Sequence, residues 1–131
     1  MHSTTWPAIL VLLTIALLVW TSMLVGRARV RLGVAAPATT GNPEFERVFR
    51  VQMNTLEAAV LFLPTLWLAA QYGTAAVTAG AGLVWFAGRV YYALSYMKNA
   101  ASRSPGFGIA ALGWAVMLLD ALVGLAHSLL A

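Results

Sequence analysis

Residues 44–57 read EFERVFRVQMNTLE and are followed at once by AAVLFLPTLWLAA over residues 58–70, which carries no charged side chain. An apolar run of this kind, continued from a charged one, is typical of a helix that enters a membrane. Such a helix must turn its polar groups away from lipid. The direction in which these charges point therefore decides the fold.

Four polar side chains of this stretch fall on one side of the predicted helix. At about 100° per residue, Glu46, Asn54 and Glu57 all project within about 40° of Arg50. Gln52 projects about 160° away from Arg50. Because a charge in hydrocarbon costs at least ~2.5 kcal/mol, the stripe must line a protein interior or a wet cleft.

A later apolar segment repeats this arrangement. Trp85, Arg89, Tyr92 and Tyr96 follow one another at intervals of four, three and four residues and so share one helix face. Arg89 precedes the end of its predicted span at residue 97 by about 12 Å, at about 1.5 Å per residue. We expect the two stripes to face one another or a neighbouring subunit.

The composition of the whole chain predicts a membrane protein. Of its 131 residues, 61% are hydrophobic and 9% are charged, against roughly 25% charged in soluble domains. Four apolar segments fit membrane spans over about residues 5–26, 44–70, 75–97 and 107–130. We therefore predict an all-α fold, with residues 1–131 forming a single four-helix transmembrane domain.

The cations predict how the chain is oriented in the membrane. They belong to the first and third connections or to the helix ends beside them, and they are Arg27, Arg29, Arg31, Arg47, Arg50, Lys98 and Arg103. By the positive-inside rule, loops 27–43 and 98–106 are expected in the cytoplasm and both termini outside. The first cations follow the first apolar segment, which argues against a signal peptide. The high alanine content favours a bacterial inner membrane.

Several kinds of chemistry are excluded by residue usage. The chain has no cysteine, so any thiol chemistry must use a thiol on the substrate. No metal site is expected, because the two histidines lie near opposite ends of the sequence. The net charge of +4 does not indicate nucleic-acid binding, because the cations adjoin apolar spans.

The membrane-embedded charges allow two interpretations. Arg50, Glu57 and Arg89 form a buried ion-pair network that fixes helix packing, or they bind a ligand. Together with Arg29 and Arg103, the arginines outnumber the acids available to neutralise them. Arginine forms bidentate pairs with carboxylates, and a cation on the ligand would meet Glu57. The pattern therefore favours a small zwitterionic peptide with surplus carboxylates.

Asp120 is the one charged residue of the fourth predicted span. The sequence predicts either a hydrogen bond with a hydroxyl group such as that of Thr14 or a protonated carboxyl group. It assigns Asp120 no function.

Two segments carry a family resemblance: TTGNPEFERVFRVQMNTLE at residues 39–57 and GLVWFAGRVYYALSY at residues 82–96. They resemble the MAPEG family, the membrane-associated proteins in eicosanoid and glutathione metabolism. The nearest branch is that of the microsomal glutathione transferases of type two and the leukotriene-C synthases. The resemblance implies a homotrimer of four-helix subunits, with glutathione bound between adjacent subunits near the cytosolic face.

The resemblance also implies an activity and its residues. The activity is that of a membrane-bound glutathione transferase or peroxidase, with glutathione as co-substrate and a lipophilic electrophile or lipid hydroperoxide as its partner. Arg103 aligns with the arginine that activates the thiol. The implied glutathione contacts are Arg29, Arg50, Gln52, Asn54, Glu57, Tyr92 and Tyr96.

Two positions depart from the pattern of the leukotriene-C synthases. Ala58 stands where they have a tyrosine, and Val30 stands where they have an arginine. The first departure implies that one glutathione hydrogen bond is absent, and the second weighs against leukotriene synthesis itself.

Two other functions remain as alternatives. One is a non-catalytic, lipid-binding membrane protein of the same fold; that branch lacks the arginines found here at Arg50 and Arg103. The other is a small four-helix exporter, which would use an intramembrane acid such as Asp120 or Glu57.

Overall fold

The computed structural model describes residues 4–131 and consists of helices and short connections. The long helices are α1 (Thr5–Leu32), α2 (Pro43–Tyr72), α3 (Ala75–Lys98) and α4 (Ser104–Leu130), with a short 3₁₀ helix at Ala100–Arg103. Residues 4–131 contain no β-strand. The prediction of an all-α, four-helix fold is confirmed.

The helices have the length and composition of a membrane bundle. Helices α1 and α2, and α4 together with the 3₁₀ helix before it, are each long and apolar enough to cross a membrane. Helix α3 is shorter and carries Arg89 and Lys98. It packs against all three other long helices, so its polar groups can be covered by protein.

Helix α1 continues beyond the predicted end of its span at residue 26 and stops at Leu32. Gly33 ends it with a left-handed φ of 68° and donates its backbone N–H to the carbonyl of Arg29, a conformation that glycine adopts without steric cost. No helix-breaking residue precedes Gly33 after residue 26, so Arg27, Arg29 and Arg31 lie on the helix. The first connection is therefore residues 33–42, shorter than the expected loop 27–43.

Helix α2 begins where the sequence predicts. The side chain of Asn42 accepts hydrogen bonds from the backbone N–H groups of Glu44 and Phe45, at 3.0 and 3.1 Å. Pro43 occupies the first turn, where its missing N–H has no consequence. This cap fixes the starting point of the helix that carries the polar stripe.

The core lies between the four long helices, each of which contributes buried apolar side chains. The rings of Phe62 and Trp85 stack at 3.8 Å between centroids, and Leu10, Leu66 and Met117 pack around them. This apolar cluster holds the two striped helices together.

Helices α3 and α4 approach closely through glycine. A Cβ atom added to Gly106 would lie 2.6 Å from the Cα atom of Tyr92, so only glycine allows this contact. The start of α4 is thus fixed against the backbone of Tyr92.

Asp120 joins α4 to the start of α3. Its carboxylate accepts a hydrogen bond of 2.6 Å from the backbone N–H of Thr74 and one of 3.1 Å from the Thr74 hydroxyl. Asp120 thus has a hydroxyl partner as expected, but it is Thr74 and not Thr14, because the Thr14 hydroxyl donates within its own helix to the carbonyl of Leu10. Asp120 satisfies a backbone donor at the helix start that would otherwise be free.

Candidate functional site

The two predicted polar stripes meet at one hydrogen bond. The Asn54 side-chain amide on α2 donates to the hydroxyl of Tyr92 on α3 at 2.6 Å. Tyr92 is buried, while Asn54 is half-buried. The contact orients a neutral amide and a phenol beside each other, and both can form further hydrogen bonds.

A line of side chains continues from this contact toward the end of α3. The rings of Tyr92 and Tyr96 lie 5.5 Å apart. The guanidinium carbon of Arg103, on the 3₁₀ helix, lies 5.9 Å from the centre of the Tyr96 ring. Arg103 is exposed, and its only hydrogen bond within residues 4–131 is a long one of 3.5 Å to the carbonyl of Ala100. We call Asn54, Tyr92, Tyr96 and Arg103 the polar line.

Arg89 lies behind the polar line and is almost fully buried, with 2% of its surface exposed. Its Nη2 group donates to the Thr55 hydroxyl at 2.9 Å. Its guanidinium carbon lies 4.1 Å from the centre of the Tyr92 ring, a cation–π distance. Its Nε–H has no partner among the described residues.

A cavity of about 390 Å³ opens beside these side chains. Its polar walls are formed by Asn54, Glu57, Arg89 and Tyr92. Its other walls are apolar and are formed by Ala58, Leu61, Trp85, Phe107, Ala110, Ala111 and Trp114. The cavity is large enough for a medium-sized apolar group that must lie next to polar side chains.

The indole N–H of Trp114, in the wall of this cavity, already has a hydrogen-bond partner. Its Nε1–H donates to the hydroxyl of Thr65 at 2.9 Å, and that hydroxyl donates in turn to the carbonyl of Leu61 at 2.8 Å. The ring therefore presents an apolar surface and no free donor to the cavity.

Three of the residues carried over from the resemblance form no side-chain hydrogen bond within residues 4–131. Arg50 and Glu57 are exposed, and Gln52 is half-buried. Asn54 and Tyr92 meet directly, and Tyr96 and Arg103 follow them. The described chain thus brings together four of the predicted site residues and leaves these three open.

Arg29 is held by its own connection. Its Nη1 group donates to the carbonyl oxygens of Ala38 and Val34, at 2.7 and 3.3 Å. Its guanidinium carbon lies 4.7 Å from the centre of the Phe45 ring. These contacts fix Arg29 at the junction of α1 and α2 and not at the Asn54–Tyr92 contact.

The ion-pair network considered from the sequence is not formed within residues 4–131. The ion pair seen there joins Arg31 and Glu44 at the surface. Arg89 instead uses a neutral hydroxyl, that of Thr55, and an aromatic ring. Residues 4–131 also hold no cluster of three or more histidine, cysteine, aspartate or glutamate residues that could bind a metal.

Sequence reasoning missed Thr55 and Thr65 as partners of site residues. Both lie on the buried side of α2, where a hydroxyl can reach another helix. A threonine on the side of a membrane helix opposite arginine- and tryptophan-bearing helices is the signal that could have indicated them.

Comparison with known proteins gives one family and several relatives. The profile of the MAPEG family matches residues 5–123, which covers nearly all of the four helices. Relatives are an uncharacterized protein, sll1147, of Synechocystis sp. (44% identical over 120 residues, 92% of this chain and 88% of the relative) and microsomal glutathione S-transferase 2 of Homo sapiens (41% over 106 residues, 81% and 72%). A third is leukotriene C4 synthase of Cavia porcellus (41% over 123 residues, 93% and 82%). The chain therefore belongs to the MAPEG family.

Proposed function

We propose that this protein is a membrane-bound glutathione transferase, in which the glutathione thiolate also reduces lipid hydroperoxides. Its family and its similarity to a glutathione S-transferase and a leukotriene C4 synthase support the use of glutathione. The observation that carries the proposal is the polar line, which connects the wall of an apolar cavity to the exposed guanidinium of Arg103.

Glutathione has the charges that the open side chains require. Its two carboxylates suit the open guanidinium of Arg50 and that of Arg29, which also donates to the carbonyl oxygens of Ala38 and Val34. Its ammonium group suits the carboxylate of Glu57. Arg50 and Glu57 are exposed, so neither must break an internal bond to bind it. Neutral hydrogen-bonding groups for the rest of the peptide come from Gln52, Asn54, Tyr92 and Tyr96.

The proposed assembly is a homotrimer with glutathione between adjacent subunits. Gln52 and Arg50 project from α2 about 160° apart. They can touch the same small peptide only if different subunits supply them. A shared site of this kind also accounts for the lack of hydrogen-bond partners for the Arg50 and Glu57 side chains within residues 4–131.

In the proposed reaction, Arg103 stabilises the thiolate of glutathione. A thiol with an ordinary pKa of about 8.5 is only a few per cent ionised at neutral pH, and a nearby cation lowers that pKa. The thiolate sulfur then bonds to an electrophilic carbon. A halide leaves, or an epoxide C–O bond breaks and its oxygen takes up a proton.

The peroxidase reaction uses the same thiolate. The sulfur attacks the terminal oxygen of a hydroperoxide, the O–O bond breaks, and the lipid oxygen takes up a proton to leave as an alcohol. The resulting glutathione sulfenic acid condenses with a second glutathione to give the disulfide and water. No nucleophile from the protein is needed, in keeping with a chain without cysteine.

We place the site near the cytoplasmic side of the membrane. The cations gather at the α1–α2 and α3–α4 ends of the bundle, which favours a cytoplasmic location for both connections and an outside location for the termini. This is also the side on which glutathione would be supplied in a bacterial inner membrane.

The test is turnover by the purified protein in detergent, with glutathione and, in separate assays, an aryl halide, a lipid hydroperoxide and an unsaturated epoxide. Arg103→Ala should lower kcat by roughly 100-fold or more, the usual effect of losing a donor to a developing anion. Glutathione affinity should change little. Arg31→Ala is the matched control, because Arg31 is an exposed arginine at the same end of the bundle that pairs with Glu44.

Other results would support the alternative functions. Equal turnover by wild type and Arg103→Ala would contradict the role of Arg103. Absence of turnover with all three substrates, with glutathione still bound, would favour a binding protein. Substrate-driven transport in sealed vesicles without turnover would favour an exporter.

A further inference from the structure

Arg89 is a buried charge that the proposed reaction does not use. It lies in the middle of α3 with 2% of its surface exposed. No acidic side chain within residues 4–131 forms an ion pair with it, and its Nε–H has no hydrogen-bond partner there. A buried unpaired donor lowers stability, so packing alone does not account for an arginine here. Methionine would fill similar space without that cost.

The contacts of Arg89 lie on both sides of the Asn54–Tyr92 hydrogen bond. On α2, its Nη2 group donates to the hydroxyl of Thr55, the residue next to Asn54. On α3, its guanidinium lies over the ring of Tyr92. One side chain thus contacts the Tyr92 ring and the helical turn that carries Asn54.

These contacts restrict the positions of both Tyr92 and Asn54. The cation over the ring restrains the tilt of Tyr92, whose hydroxyl accepts from Asn54 at 2.6 Å. The bond to Thr55 restrains the rotation of α2 at the same level. The backbone of Tyr92 is already fixed by Gly106 of α4, so the freedom that remains to Tyr92 is that of its ring.

We propose that Arg89 is a positioning residue for glutathione binding, which holds Tyr92 and Asn54 in the geometry that the peptide meets. The inference rests on the proposed function, in which both residues contact glutathione. Arg89 then acts on glutathione affinity and not on ionisation of the thiol, because Arg103 contacts Tyr96, one turn further along α3.

The test compares Arg89→Met, Arg89→Lys and Thr55→Val in detergent. Arg89→Met should raise both the calorimetric Kd and the KM for glutathione about tenfold, as expected for loss of a desolvated cation–π contact and a charged hydrogen bond. Its kcat should stay within about twofold, since thiolate formation is unaffected. Arg89→Lys, which keeps the cation, should recover much of the affinity. Thr55→Val, which removes only the acceptor, should raise the Kd about threefold.

Several outcomes would overturn the inference. An unchanged glutathione Kd in Arg89→Met with a lower unfolding temperature would make Arg89 a purely structural residue. A higher KM for the apolar substrate, with that for glutathione unchanged, would make Arg89 a cavity contact. If Arg89→Met does not fold, an unchanged Kd in both Arg89→Lys and Thr55→Val would also contradict it. Wild-type protein that binds no glutathione would instead overturn the proposed function itself.

Discussion

Helix α3 has a polar contact at its start and another along its second half, and the two differ in how completely they are satisfied. At the start, Asp120 accepts from both the backbone and the hydroxyl of Thr74. Further along, the Nε–H of Arg89 has no hydrogen-bond partner among the described residues, and Arg50 and Glu57 of the facing stripe are exposed. A closed polar contact in a membrane bundle stabilises the fold. We propose that glutathione or a neighbouring subunit completes the open one.

The largest effect is expected on glutathione affinity, from substitution of the open side chains Arg50 and Glu57. Arg50→Met or Glu57→Gln should each weaken glutathione binding by roughly 10- to 100-fold, because a hydrogen bond to a charged group contributes about 1.5–3 kcal/mol. Neither should lower the unfolding temperature without glutathione, since neither side chain has a hydrogen-bond partner to lose in the described part of the chain, residues 4–131. Calorimetry and thermal unfolding in detergent measure the two quantities separately.

Arg47 provides the matched control on the same helix. Its Nε–H donates to the carbonyl of Met97 at 3.1 Å, so its contact is closed. Arg47→Met should lower the unfolding temperature and leave the glutathione Kd unchanged. A weaker glutathione affinity at an unchanged unfolding temperature in Arg47→Met would contradict the distinction between open and closed contacts. So would a lower unfolding temperature at an unchanged glutathione affinity in Arg50→Met.

The next largest effect is expected from loss of the hydrogen bonds between Asp120 and Thr74, the closed contact at the start of α3. Asp120→Ala removes both acceptors for Thr74 and should cost about 2 kcal/mol of the free energy of unfolding, as for loss of a helix cap. Asp120→Asn keeps an acceptor and should cost less. Glutathione binding should not change in either variant. A weaker glutathione affinity at an unchanged unfolding temperature would assign Asp120 to a functional site.

A smaller effect is expected at the cavity wall. Trp114→Phe removes the indole donor to Thr65, but the Thr65 hydroxyl keeps its bond to the carbonyl of Leu61. The loss should be about 1 kcal/mol of the free energy of unfolding, with no change in glutathione Kd. A rise in the KM of the apolar substrate would show that the indole ring contacts it.

The smallest effect should come from the surface pair of Arg31 and Glu44. Both side chains are largely exposed, and solvent screens such a pair. Arg31→Gln should leave the unfolding temperature, glutathione Kd and kcat unchanged within error. A measurable loss of stability would mean that this pair is covered in the assembled protein.

The sequence predicts the elements of the fold well, because their signals are local. The predicted span over residues 44–70 begins within a residue of α2, and the break between it and the predicted span over residues 75–97 correctly separates α2 from α3, although α2 continues to Tyr72. The predicted end of the first span, residue 26, falls before the end of α1, because the following arginines indicate a membrane boundary while the helix itself continues to Leu32.

The partners of polar residues are less predictable, because they depend on how helices pack. Helical periodicity correctly places Asn54 and Tyr92 on facing stripes. It gives no reason to choose Thr55 over Glu57 as the partner of Arg89, or Thr74 over Thr14 as the partner of Asp120. Both choices depend on the level at which two helices cross. The predicted roles of Arg50, Gln52 and Glu57 stay predictions, because none of the three side chains forms a hydrogen bond within residues 4–131.

We propose that Arg103, at the end of the polar line, ionises the thiol of bound glutathione. The thiolate ultraviolet absorbance of glutathione bound to the purified protein, titrated against pH in wild type and in Arg103→Ala, tests this role. We expect a thiol pKa at least one unit below the ordinary value of about 8.5 in wild type, and a return toward that value in Arg103→Ala. An ordinary thiol pKa in wild type, or the same lowered pKa in both proteins, would contradict it.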